Sequence, residues 1–232
     1  MLTDFLLALP MLLFALVAHE FAHGWAAYRE GDDTAYKLGR LTLNPIPHID
    51  PIMTLGLPAL LWFLSHGRFT FGGARPVPVV TRNFRNYRRG DLIVSSAGIV
   101  TNLVLAVLCG VAFSLAGVAG KMLADLGTAT VDIIQRMLVW GIHLNLILAF
   151  FNLIPIPPLD GSRILYHFLP ATWGARYRAL DRFGFVPVMV LMFLAPPAVI
   201  NTLMAPAWWG EQSILRIVVP PFAVGQGWNI FQ

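Results

Sequence analysis

Charge and cysteine are the two things this chain has least of. Only 12% of its 232 residues are Asp, Glu, Lys or Arg, against 57% hydrophobic, and the mean hydropathy is +0.68. A soluble domain carries about 25% charged residues, so a water-facing surface cannot be assembled from this composition. That scarcity excludes a soluble single domain, a disordered chain and a fibrous repeat, and leaves a small polytopic membrane protein. A single cysteine, Cys109, excludes a disulfide framework and a cysteine zinc site. The N-terminus lacks the basic region and small-residue cleavage site of a signal peptide, and no internal repeat is present. A net charge of +4 gives a pI of about 9.6. The arginines cluster in short loops between apolar runs, however, which is a topology signal and implies no nucleic-acid partner.

What is present is apolar length. Runs at residues 5–27, 51–65, 92–118, 137–158 and 183–209 approach or reach the roughly 20 residues that cross a bilayer. After Glu211 the chain is apolar again, but Pro220 and Pro221 make that tail a poor helix, suited to an interfacial or re-entrant piece. These runs predict an all-α polytopic membrane protein with four to six membrane segments. Residues 69–80, FTFGGARPVPVV, read as short strands around a Gly-Gly turn. They predict a small β-hairpin before the third segment, as either an ordinary interfacial hairpin or an edge for strand addition. The reading is one domain over 1–232, with a catalytic core at about 1–165 and C-terminal helices at 166–232.

Charge bias orients the segments. The loop at 67–91 holds Arg68, Arg75, Arg82, Arg85, Arg88 and Arg89, and the loop at 159–182 holds Arg163, Arg176, Arg178 and Arg182. The positive-inside rule places both in the cytoplasm, and the expected location is the plasma (inner) membrane.

Chemistry concentrates at His19-Glu20-Phe21-Ala22-His23, an H-E-x-x-H sequence inside an apolar helical run. Residues four apart share a helix face, so both imidazoles can reach one Zn²⁺ at about 2.0–2.1 Å. Glu20 then stands beside the metal as a general base for water. Two core histidines or a chance match are the bland readings. With this composition the chance expectation is about 0.002 per chain, and ionisable residues in a span are too costly to lack a partner. Catalytic zinc takes a third protein ligand. Asp160 is the candidate, ending the proline-broken stretch Asn152-Leu153-Ile154-Pro155-Ile156-Pro157-Pro158-Leu159-Asp160-Gly161. The opposing reading is that Asp160 caps the next helix.

H-E-x-x-H in an apolar helix, followed by N-x-x-P-x-x-x-x-D-G, resembles the site-2 protease family of intramembrane zinc metalloproteases. The likeness covers about residues 18–161. Leu43-Asn44-Pro45-Ile46-Pro47-His48-Ile49-Asp50-Pro51 resembles the compact prokaryotic subgroup without PDZ or CBS domains. Ser96-Ala97-Gly98-Ile99-Val100-Thr101-Asn102 is similar to the family's A-G-P-x-x-N helix start, with Ile99 where proline is usual. The resemblance implies that His19, His23 and Asp160 bind one Zn²⁺ per chain, that Glu20 activates water, and that Asn152 lies near the substrate. The implied activity is regulated intramembrane proteolysis, with hydrolysis in or near transmembrane segments of membrane proteins, in contact with lipid. For Asn152 the residues leave two readings open: binding an extended substrate, or capping backbone freed by Pro155.

The remaining polar residues read as structural. His48 reads as a surface histidine, His143 and Asn145 as bonding across helices, and His66 and His167 as interfacial. Trp208, Trp209 and Trp228 suit an aromatic belt. Two other function classes fit a buried His–Asp set: a metal-binding transporter, and an inactive protease-like scaffold. Depth adds a last expectation. If the pentad and Asp160 share one ion, their segments approach one membrane face, so the zinc site sits towards the cytoplasmic leaflet. The run at 51–65 is then re-entrant or shallow, since 15 residues span about 22 Å as a helix against a core of about 30 Å.

Overall fold

Leucine, alanine and phenylalanine, all compatible with helix and none charged after Asp4 until Glu20, carry the first helix α1 over Leu2–Glu30. This and the rest of the fold come from a computed structural model that describes residues 2–56, 60, 63, 73–123, 128–225 and 228. Gly31 ends α1 with φ +116°, a conformation open to glycine, and a Cβ there would meet the Asn83 carbonyl oxygen at 3.0 Å. A single turn, α2 (Thr34–Lys37), and a π-helical turn at Pro51–Gly56 follow. Then come α3 (Tyr87–Leu123), α4 (Thr128–Leu153), α5 (Asp160–Tyr166), α6 (Ala171–Arg178), α7 (Val186–Leu194) and α8 (Pro197–Phe222).

Three helical stretches are long and apolar enough to cross a membrane: Thr3–Glu30, Tyr87–Met122 and Thr128–Leu153. The pair α7 and α8, bent by 108° at its break, passes as a fourth. The chain is therefore a multi-pass, all-helical membrane protein with three spans among the described residues, or four if the bent pair is one, against the four to six expected.

Two expectations need correction. Among the described residues there is no strand: 73–80 is irregular backbone, and 69–72 lies outside them. Several of its peptide groups bond to side chains instead, as shown below, and the expected β-hairpin is not supported. The C-terminal apolar tail, expected to be a poor helix, is helical through Phe222 despite Pro206, Pro220 and Pro221. Membrane helices tolerate proline where neighbours re-satisfy the backbone. The end of this helix is capped from elsewhere in its unit: the Lys121 ammonium donates to the Pro221 carbonyl at 2.6 Å and the Gln135 amide to the Phe222 carbonyl at 2.9 Å. Most of the run at 51–65 lies outside the described residues.

By packing, the described residues form two units. In Leu16–Gly98, a small core of Ala26, Ala27, Phe84 and Val94, with Val79 and Ala97 against it, fixes the C-terminal half of α1 to the start of α3. The Arg85 N–H donates to the Glu30 carbonyl at 2.9 Å and fastens the incoming loop.

The second unit, Met1–Ala15 with Ile99–Gln232, is held by close helix approach and buried amides. A Cβ on Gly141 would lie 2.5 Å from Met11 Cε and 2.7 Å from Cys109 Sγ, and one on Gly110 would lie 2.8 Å from Ile214. Small residues thus permit the helix contacts, as lipid-embedded interfaces require. Asn102 Nδ2 donates to Asn145 Oδ1 at 2.9 Å, and Asn145 Nδ2 donates to the Gly141 carbonyl at 2.8 Å. Along the α4–α8 contact, His143 Nδ1 donates to Glu211 Oε2 at 2.8 Å.

Candidate metal centre

Helical spacing places His19 and His23 one turn apart on α1, and both are buried. Their Nε2 atoms face each other at 2.9 Å, with the rings edge-on at 79°. The Nδ1 of His23 lies 2.7 Å from the Val94 carbonyl oxygen, which can only accept, so this nitrogen carries the proton. In a neutral ring that leaves the His23 Nε2 lone pair aimed at His19. Such a pair, with one imidazole oriented by a backbone carbonyl, is a donor set a zinc ion uses.

Backbone approach completes the cradle. Gly98 of α3 lies so close that a Cβ would sit 2.5 Å from His19 Cε1 and from His23 Nε2. Only glycine lets the helix pass both rings.

Glu20, half-buried, turns to a different partner. Its Oε2 accepts the Val77 N–H at 2.7 Å. Further along, Asp32 accepts hydrogen bonds from the Thr34 N–H and hydroxyl, from the Val80 N–H at 2.6 Å and from Asn83 Nδ2 at 2.8 Å. Two carboxylates of this unit thus hold the backbone of 77–80. Burial pushes the Asp32 carboxyl up, but its hydrogen bonds from Thr34, Val80 and Asn83 outweigh burial and hold it below its usual value. Burial also pulls the Arg40 guanidinium below its usual value, aided by Arg75 and opposed by Glu20.

Asp160 and Asn152 belong to the other unit. Asp160 is the first residue of α5, and the cap position before it is Leu159. The turn before it is held by its own backbone, with Ile154 N–H on the Phe151 carbonyl at 3.1 Å and Leu159 N–H on the Ile156 carbonyl at 2.9 Å. Gly161 is obligatory there, since a Cβ would meet the Leu153 carbonyl oxygen at 2.1 Å. Asn152 donates to the Leu148 carbonyl at 3.0 Å. The carbonyl of Phe151, whose helical partner would be residue 155, is served by Ile154 instead.

His143 and Asn145 bond across helices, as read from the sequence. His48 does not sit on the surface: it is 2% exposed, with Nε2 2.9 Å from the Thr42 carbonyl. Its place among prolines hid that role. His66 lies outside the described residues. The Val94 carbonyl, Gly98, Val77 and Arg40 were not singled out from sequence as parts of the site. Only Gly98 left a signal, as a small residue in a helix start resembling that of a protease family.

The chain shares its pattern with known proteins. Over 193 residues, 81% of this chain and 82% of the relative, it is 41% identical to "Putative zinc metalloprotease YwhC" of Bacillus subtilis (strain 168). The chain belongs to peptidase family M50. This is the site-2 protease family of membrane-embedded metalloproteases, and the family model itself matches residues 114–195. "Putative zinc metalloprotease Rip2" of Mycolicibacterium smegmatis is 36% identical over 81% of this chain and 67% of its own length. The Mycobacterium tuberculosis H37Rv protein of the same name is 36% identical over 83% and 68%. No solved structure matches.

Proposed function

We propose that this family member is an intramembrane zinc metalloendopeptidase that hydrolyses peptide bonds in or near transmembrane segments of other membrane proteins. The observation that carries the reading is the facing Nε2 pair of His19 and His23 at 2.9 Å, pressed under Gly98 with Glu20 next in sequence. One Zn²⁺ per chain is held by His19, His23 and Asp160. When bound, zinc acts as a Lewis acid that polarises the scissile carbonyl and makes water a nucleophile near neutral pH.

This chain's residues do the rest. His23 is held in one tautomer by Val94, so its Nε2 is ready to ligate without a proton to lose. Glu20, with Oε2 anchored on Val77, uses its carboxylate to take a proton from the attacking water and to return it to the leaving amine nitrogen. Asn152 binds the extended substrate. A substrate helix satisfies its own amides, so it must unwind before cleavage, and helix-breaking residues in the substrate favour the reaction. The site lies towards the cytoplasmic leaflet of the inner membrane, and 1–232 acts as one protease domain with its catalytic core at about 1–165.

Metal analysis of detergent-purified variants tests this. His23→Ala and Asp160→Ala are expected to lose zinc and cleavage together against a panel of single-span substrates. Full zinc content in Asp160→Ala removes that residue from the ligand set. Metal flux in vesicles without cleavage would favour a transporter.

A further inference from the structure

The segment Arg75-Pro76-Val77-Pro78-Val79 has one backbone donor between Arg75 and Val79, because Pro76 and Pro78 have no N–H. That donor, on Val77, goes to Glu20 Oε2. What fixes its direction is the other end of the same peptide plane. Arg40 Nη2 donates to the Pro76 carbonyl at 3.4 Å and to the Arg75 carbonyl at 3.0 Å. The Arg75 N–H, in turn, donates to the His48 carbonyl at 2.7 Å, while the His48 ring is tied to Thr42. Arg40 is itself rooted by its N–H on the Ala35 carbonyl at 2.8 Å, directly after Gly39 at φ +65°. Beneath, a Cβ on Gly24 would lie 3.0 Å from Val77 Cγ1, so Val77 rests on the α1 backbone one turn beyond Glu20.

We propose that Arg40 is a positioning residue for the general base, acting through the Pro76–Val77 peptide. Its guanidinium clamps the carbonyl end of the plane, and the N–H end holds the Glu20 carboxylate where it meets water. A hydrogen bond donated to the carbonyl also polarises the amide and strengthens its N–H as a donor. Glu20 thus has one oxygen fixed by backbone and the other left to move protons. This rests on the reading of Glu20 as the base.

The test uses the full chain in detergent and a tagged single-span peptide with Gly and Pro breaks in its span. Arg40→Ala is expected to lower kcat by about 10- to 100-fold, the cost of a slightly misplaced catalytic group. KM and zinc per chain should stay at their wild-type values. Arg40→Lys, a point donor, should recover part of the loss. Val77→Pro removes the N–H and should cost as much, and the double variant should cost no more than either single change. Wild-type kcat in Arg40→Ala overturns the inference, as do losses confined to KM or zinc, or losses that multiply in the double variant. If thermal unfolding shows that Arg40→Ala does not fold, Arg40→Lys, Val77→Pro and their double decide by the same criterion. Full activity of Glu20→Gln overturns the base assignment itself. An inactive Glu20→Gln beside a fully active Arg40→Ala overturns only the role of Arg40.

Discussion

His23 Nδ1 donates to the Val94 carbonyl at 2.7 Å, joining α1 to the helix that carries Gly98 four residues later. The bond and the missing side chain work together. One fixes which nitrogen of His23 carries the proton, and the other lets α3 come close enough to make that bond. Gly98→Ala should therefore push both imidazoles aside, because the added methyl starts 2.5 Å from each ring. The expected result is a chain that folds but binds zinc at least about tenfold more weakly, as other disruptions of a ligand's support do. Zinc titration of the apo-protein checks this, and unchanged affinity would mean that the cradle is not part of the site.

Acid should loosen the same unit through Asp32. Its carboxyl is held below the usual value of about 3.9. Stability from such a group is fully present above that value and is lost as the pH falls through the lower, folded value. The thermal midpoint of the wild type should drop as the pH falls below about 4, where Asp32 begins to take up its proton in the unfolded chain. Asp32→Ala should be less stable at pH 7 by about 1–3 kcal/mol, because the Val80 N–H and Asn83 amide lose their acceptor. It should also show a shallower acid slope. An unchanged slope assigns the acid sensitivity elsewhere.

In the other unit, His143 and Glu211 form a side-chain tie between α4 and α8, beside the Gln135 bond to the Phe222 carbonyl. His143→Leu strands a carboxylate in an apolar surrounding and should lower the thermal midpoint, at a cost of about 1–3 kcal/mol. His143→Leu with Glu211→Leu should recover most of it, since an apolar pair needs no partner. Failure of the double change to recover stability would show that the pair does more than join two helices.

Much of the site was legible because its chemistry is local. His19, Glu20 and His23 fall within five residues, and helical periodicity alone puts the histidines on one face. Helix extents were legible for the same reason, since 92–118 and 137–158 are apolar runs that α3 and α4 contain or nearly contain. Non-local contacts decided the rest. Val77 gave no sign that its amide would serve Glu20, and nothing near Arg40 in sequence pointed to the Arg75 and Pro76 carbonyls. Residues 73–80 read like a strand, but the Val77 and Val80 N–H groups go to the Glu20 and Asp32 carboxylates and the Arg75 N–H to the His48 carbonyl. The tail to Phe222 looked broken by proline, and the groups that donate to its last two carbonyls, Gln135 and Lys121, lie 87 and 100 residues before them.

If His19, His23 and Asp160 hold one ion, the loops on either side of residues 51–65 share one membrane face. In a Cys109→Ala background, single cysteines at positions 37 and 82 should both react from the cytoplasmic side. Labelling of position 37 from outside and of position 82 from inside means that the run spans, and the shared-depth argument fails.

The central claim is that Glu20 works as a base beside a zinc ion that it does not hold. Purified wild-type protein and Glu20→Gln should be compared for zinc per chain and for cleavage of a single-span substrate in the same detergent. Equal zinc, about one ion per chain, is predicted for both, with turnover of the variant lower by about 10²- to 10⁴-fold. Cleavage by Glu20→Gln at the wild-type rate, or an active wild type that carries no zinc, would contradict it.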